Sequence, residues 1–192
     1  MSDADRQRWD SRYAAGEYSG RTHPTVLLEH WQAELPRGRA LDIACGAGRN
    51  ALYLASLGYS VDAVDISNVA LERGAASAAE QGMQVNWINA DFDHDTLPEE
   101  AYDLVVVSRF LDHRLIPQIH DRLQAGGHVV YEQHVRTTLP DIGGPRSNRF
   151  RLRPQELLSL FRDLTVRYYY EGLIADPDGN RMALAQLVAR HD

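Results

Sequence analysis

The stretch Arg39-Ala-Leu-Asp-Ile-Ala-Cys-Gly-Ala-Gly-Arg-Asn-Ala-Leu-Tyr-Leu-Ala55 holds the residues best suited to chemistry in this chain. An apolar run ends in a short turn containing Gly46 and Gly48, and helical periodicity begins directly after it. A strand that feeds a helix through glycines lets a ligand lie against bare backbone. The helix start adds unpaired N–H groups and the positive end of its dipole. A nucleotide-like ligand suits such a place. Gly46-x-Gly48-x-x-Ala51 also satisfies the dinucleotide-binding fingerprint, a weak pattern by itself. Acids then recur near strand ends: Asp42 before the loop, Asp65 closing Tyr59–Asp65, and Asp91 closing Val85–Asp91 just before Phe92. Asp65 can accept hydrogen bonds from both hydroxyls of a ribose, or it can cap the helix that starts near Ser67 or Asn68.

A second group follows the fifth strand. Glu132, His134 and Arg136 have strand spacing, which puts them on one face near the ligand-binding end of a parallel sheet. His134 is the base candidate, titrating near neutrality, with a structural histidine as the other reading. The run Arg146, Arg149, Arg151, Arg153 is basic within an acidic chain; it can clamp a carboxylate bidentately or serve as a solvated loop. Asp93-His94 and Asp112-His113 lack the helix-spaced partners of a zinc site, so no metal is expected.

Strand and helix patterns alternate: helix 49–57, strand 60–65, helix 68–81, strands 84–90 and 103–108, helix 114–124, strand 128–135. Such alternation predicts βαβ units and a parallel sheet. Helical spacing is also present over 4–18, where Trp9 and Tyr13 share a face, over 25–31, and over 154–161. The strands 164–171 and 182–189, joined by the turn Asp176-Pro-Asp-Gly-Asn180, predict a C-terminal antiparallel hairpin. The expectation is one domain over 1–192, with residues 1–36 as a helical cap over the ligand site.

Composition narrows the function classes. With 192 residues, 44% hydrophobic and 24% charged, the chain is expected to be a soluble globular domain. All 20 of its Lys+Arg residues are arginine, which excludes Schiff-base chemistry and the lysine-dependent P-loop. A net charge of −7 argues against nucleic acid as a partner, and no apolar run is long enough for a membrane span. The single Cys45 excludes an internal disulfide and fits a cytoplasmic location.

The ordered set of glycine loop, Asp42, Asp65, Asp91-Phe92 and the strand Tyr102–Ser108 resembles the class I S-adenosylmethionine-dependent methyltransferases. That resemblance implies a Rossmann-like three-layer α/β sandwich, whose mostly parallel seven-stranded sheet ends in the antiparallel hairpin. It implies S-adenosylmethionine as cofactor. Asp42, Ala44, Gly46, Gly48 and Asn50 would line its amino-acid end, Asp65 and Ile66 its ribose, Asp91 and Phe92 its adenine, and Ser108 its sulfonium. Phe110 would face the acceptor or belong to the core. The opening Trp9-Asp-Ser-Arg12-Tyr13 and the closing Asp178-Gly-Asn-Arg181 look like small tellurite-resistance and thiopurine-type methyltransferases, in which the N-terminal segment covers the donor. Arg12 would do so here. The tellurite group carries a His-Arg pair where this chain has Leu173-Ile174, so cofactor and architecture carry over and the acceptor does not.

The implied function is in-line methyl transfer to a small, anionic acceptor held by Phe110, Arg136, Arg149 and Arg181, by a monomer or homodimer. An NAD-dependent oxidoreductase and a non-catalytic donor-binding domain are the alternatives. The acid-ended third strand and the hairpin argue against the former.

Overall fold

The computed structural model describes residues 3–175, 177 and 179–192. The strands β1 (Arg39–Ile43), β2 (Ser60–Asp65), β3 (Asn86–Asn89), β4 (Tyr102–Ser108), β5 (Leu123–His134), β6 (Thr165–Ala175) and β7 (Arg181–Arg190) form one sheet in the order β3-β2-β1-β4-β5-β7-β6. β3, β2, β1, β4 and β5 pair in parallel. β7 is antiparallel to both β5 and β6, so it is inserted between them. The predicted turn between the last two strands includes Asp176 and Asp178, which lie outside the described residues.

Central strands bury both faces, which is why they read as nearly unbroken apolar runs. In β4, Val105 and Val107 join one core with Leu115 and Ile119 of α5 (Leu115–Arg122) and Leu157 of α6 (Glu156–Leu160). Leu104 and Val106 join the opposite core, with Leu27 and Leu28 of α2 (Val26–Trp31), Leu54 of α3 (Arg49–Ser56) and Leu71 of α4 (Asn68–Glu80). The result is the expected Rossmann-like three-layer sandwich.

Element bounds differ from expectation where glycines bend the chain. α1 (Asp3–Ala14) stops before Gly16, whose φ is +81°. β5 starts at Leu123, directly after α5, but its pairing with β4 jumps from Tyr102↔Leu123 to Leu104↔His128. The intervening Gln124-Ala-Gly-Gly127 bulges outward, with Gly126 at φ +81°.

Two glycines exist for packing. The Trp87 ring of β3 lies over Gly48 and Gly74, where a Cβ would come within 2.3 and 2.6 Å of it. The space beside Gly48 is therefore filled by an indole instead of being open to a ligand. An exposed helix-interior glycine replaced by alanine gains about 0.5–1 kcal/mol. Gly74→Ala should reverse that sign and cost about 1–3 kcal/mol by overpacking. In urea unfolding, the cost should shrink in a Trp87→Leu background; equal costs in both backgrounds would refute the contact.

Candidate functional site

The carboxyl ends of β1, β2 and β3 and the loop after β1 build the first half of the site. Ala44, Gly46 and Gly48 alternate at left-handed φ values of +55, +57 and +80°, a conformation that turns backbone N–H groups inward. Asp65 locks this loop to β2. One of its oxygens accepts the Gly46 N–H at 2.8 Å, and the other accepts the Ser67 N–H at 2.9 Å. Burial raises its pKa, opposed by those N–H groups. The Cys45 N–H adds a bond to the Val64 carbonyl. The Cys45 thiol is buried and pushed well up, which makes it an inert packing group.

Two buried acids on neighbouring strands show opposite treatment. Asp62 accepts from Tyr102 Oη at 2.7 Å, Asn86 Nδ2 at 2.8 Å and Arg39 Nε at 3.0 Å, which makes it a structural tie. Asp42 is 1% exposed and its Oδ2 has no hydrogen-bond partner among the described residues. Burial raises its pKa to about 7, against the opposing pull of Arg49 and the Ala51 N–H. An unsatisfied buried carboxylate costs about 1–3 kcal/mol, so it marks a place where a donor or cation is missing.

The remaining predicted ligand residues divide by what they touch. Asp91 is buried at the end of β3, where its Oδ1 accepts the Asp93 N–H at 3.0 Å and its own N–H donates to Asp95. The Ile66 carbonyl accepts from Asn89 at 2.8 Å, which ties β2 to β3. Asn50 is committed to the scaffold: its Oδ1 accepts the Thr25 N–H at 2.9 Å and so anchors the start of α2. Phe92 is a core residue, 6.0 Å from Phe110 between ring centroids, and Phe110 packs partly buried beside it.

The N-terminal segment lies over the glycine loop. Asp10 accepts from Ser67 Oγ at 2.6 Å and from the Val69 N–H, seating α1 on the start of α4. Tyr13 brings its hydroxyl to 2.2 Å from where a Gly46 Cβ would sit. Arg12 is turned elsewhere: it pairs with Glu17 at 2.7 Å and stacks on Trp9 and Tyr18.

The second half of the site lies at the ends of β4 and β5. Ser108 accepts from Arg49 Nη2 at 3.1 Å. Arg109 follows at the left-handed φ of +61°, its Nε donating to Glu132 at 2.7 Å. Gln186 of β7 holds the other Glu132 oxygen at 2.6 Å. Neither Arg49 nor Arg109 was singled out by sequence; the clue was their position, one just after Gly48 and the other just after the last residue of β4.

The predicted base requires correction. His134 is buried beneath Gly144, and burial followed by the charges of Arg109, Arg151 and Arg21 lowers its pKa to about 3. It stays neutral at physiological pH and does not titrate near neutrality, and its Nδ1 has no partner among the described residues. Nor do Glu132, His134 and Arg136 form one ligand face, because Arg136 leaves the sheet and is exposed. Within the arginine run, Arg151 is buried and donates to the carbonyls of Val135, Pro145 and Gly143, building the roof over His134. Arg153 pairs with Glu156, Arg149 stacks on Phe150, and Arg181 is exposed at the start of β7.

Residues 40–127, which span β1 to the bulge of β5, match the family model described as a methyltransferase domain. That match covers less than half of the chain's 192 residues. It is 27% identical over 165 residues to the protein named "Probable S-adenosyl-L-methionine-dependent methyltransferase TehB" of Haemophilus influenzae, covering 79% of this chain and 57% of that protein. It is 24% identical over 188 residues to a ubiquinone biosynthesis O-methyltransferase of Rickettsia conorii, covering 85% and 64%. The chain thus spans less than two thirds of the length of these relatives. The crystal structure of TehB from Haemophilus influenzae shares the fold, with a TM-score of 0.76 at 23% identity over 94% of this chain and 66% of that one.

The buried residues fit the cofactor of the methyltransferases that the chain resembles. One Asp42 oxygen lacks a donor and Asp65 retains lone pairs, while the Tyr13 hydroxyl takes the place beside Gly46. The folded pKa of Asp42 exceeds its ordinary 3.8, so protonation stabilises the free protein and is lost as pH rises through about 7. A ligand ammonium prefers the ionised form. Calorimetric affinity for S-adenosylhomocysteine should therefore rise about tenfold from pH 6 to 8 and stay flat in Asp42→Asn. A flat wild-type profile would contradict the assignment.

Proposed function

We propose that this chain transfers the methyl group of S-adenosylmethionine directly to a small-molecule acceptor, without a covalent enzyme intermediate. The observation that carries the reading is the unpartnered, buried Oδ2 of Asp42 beside the glycine loop that Asp65 organises. Asp42 and the backbone of Ala44 and Gly46 would hold the amino-acid end of the donor, Asp65 with Ile66 its ribose, and Asp91 with the Phe92 backbone its adenine. When bound, the donor supplies a methyl group already activated by a sulfonium. Residues 1–36 would cover it, with Tyr13 as the contact and Asp10 and Arg73 as fastenings to α4; Arg73 reaches the carbonyls of Tyr13 and Glu17. Gly48 and Asn50 act through packing and α2.

The chain's own residues then have three tasks: bind, align and keep water out. Ser108 ends β4 and Phe110 follows it, where donor and acceptor would meet. His134 is too weak a base to take a proton from an alcohol or an ammonium. Its neutral ring suits hydrogen bonding, not proton abstraction. A ready nucleophile, such as a thiolate or its selenium counterpart, suits a site whose histidine does not abstract protons. The buried Cys45 supports a cytoplasmic setting, where thiols stay reduced.

Turnover with paired thiol and alcohol acceptors tests this reading. At saturating donor, methylation of the thiols alone is expected, with a pH profile that follows the acceptor's own pKa. His134→Gln should leave that profile unchanged. A wild-type inflection between pH 6 and 7 that disappears in His134→Gln would restore the histidine as base. Donor binding without turnover on any acceptor would leave only a binding domain.

A further inference from the structure

Arg109 has an environment that the donor site does not explain. It is a non-glycine residue at φ +61°, in a conformation that usually persists only where the surroundings enforce it. Its own N–H donates to the Glu132 carbonyl at 2.8 Å, and its Nε donates to the Glu132 carboxylate, itself gripped by Gln186. The guanidinium is thus aimed by three bonds on two strands. Its Nη1 meets only the Met182 thioether, a weak acceptor for a charged donor. Nη2 has no hydrogen-bond partner among the described residues. A strong planar fork spent on sulfur is short of a better acceptor.

A second guanidinium reaches the residue next to it. Arg49 bonds Ser108, the residue before Arg109, and the His23 carbonyl. Desolvation and then the charge of Arg109 lower the pKa of Arg49, and Arg21 adds to the same field. Glu132 compensates Arg109, and Asp42 lies on the donor side of Arg49. Two partly buried guanidiniums held on adjacent residues, one bonded to Ser108 and the other borne by Arg109, suit an anion that both can bond.

We propose that Arg109, with Arg49, forms the fork that binds the carboxylate of an organic acceptor, and that Glu132 and Gln186 are its positioning residues. This rests on the methyltransferase reading above and moves acceptor recognition from the Arg146–Arg153 loop to the end of β4. The strand order supports it: β4 lies between β1, which carries the donor loop, and β5. An acceptor gripped there would present its nucleophile beside Ser108.

The test titrates S-adenosylhomocysteine-saturated protein with 2-(methylsulfanyl)benzoate and, separately, with its uncharged benzamide. The wild type is expected to bind the carboxylate at least tenfold more tightly. Arg109→Asn, chosen because asparagine tolerates left-handed backbone, should bring the two probes to within threefold. Arg109→Lys should fall between. Affinity for S-adenosylhomocysteine should change less than twofold in both variants, and Glu132→Gln should weaken carboxylate binding while sparing the donor. A preference that survives Arg109→Asn overturns the proposal, as does a wild type that fails to favour the carboxylate. Failure of the wild type to bind S-adenosylhomocysteine at all would overturn the methyltransferase reading as well.

Discussion

One carboxylate organises the site. Asp65, at the end of β2, accepts the Gly46 N–H from the loop after β1 and the Ser67 N–H at the start of α4. The group is nearly buried, so its charge is tolerated only because backbone donors surround it. Through it, two βα loops that belong to different strands share one reference point. α1 then fastens to the same place, because Asp10 bonds Ser67 and Tyr13 rests on Gly46. The loop, the helix start and the cover are therefore parts of one polar arrangement, not three separate features.

Charge is divided along the strand order. The ends of β3, β2 and β1 carry Asp91, Asp65 and Asp42, while the ends of β4 and β5 carry Arg109 and its Glu132 anchor, with Arg49 reaching across from α3. The acidic side suits a ligand with an ammonium and ribose hydroxyls; the guanidinium side suits an anion. They meet at Ser108. The contrast between Asp42 and Asp62 shows how to tell a site from a scaffold. Both are buried in the sheet, yet three donors satisfy Asp62, and Asp42 is left one oxygen short.

Much of this was legible in the residue order. The glycine turn, the acids at strand ends and the alternating patterns gave the parallel sheet, and the apolar segments after Phe161 gave its antiparallel edge. These signals are local, so sequence carries them directly. What sequence could not carry was pairing between distant residues. Gly48 looked open to a ligand because nothing near it in the chain says that Trp87 will fill the space. Asn50 looked like a ligand contact, whereas its partner is Thr25 on another helix. His134 looked titratable, because its burial under Gly144 and the arginines around it come from three separate segments. The arginine run drew attention by density, although Arg151 fastens its loop to Val135, just past the end of β5. Arg109 is a single residue after a strand, and its importance appears only once Glu132 and Met182 are beside it.

The central claim is that Asp65 and the glycine loop form an S-adenosylmethionine site. Titration calorimetry of the wild type and Asp65→Asn with S-adenosylhomocysteine, alongside NADH, tests it most directly. The account predicts saturable micromolar binding of S-adenosylhomocysteine, no binding of NADH, and a loss on the order of 1–3 kcal/mol in Asp65→Asn from weakened charged hydrogen bonds. Binding of NADH in place of S-adenosylhomocysteine, or an affinity indifferent to Asp65→Asn, would contradict it.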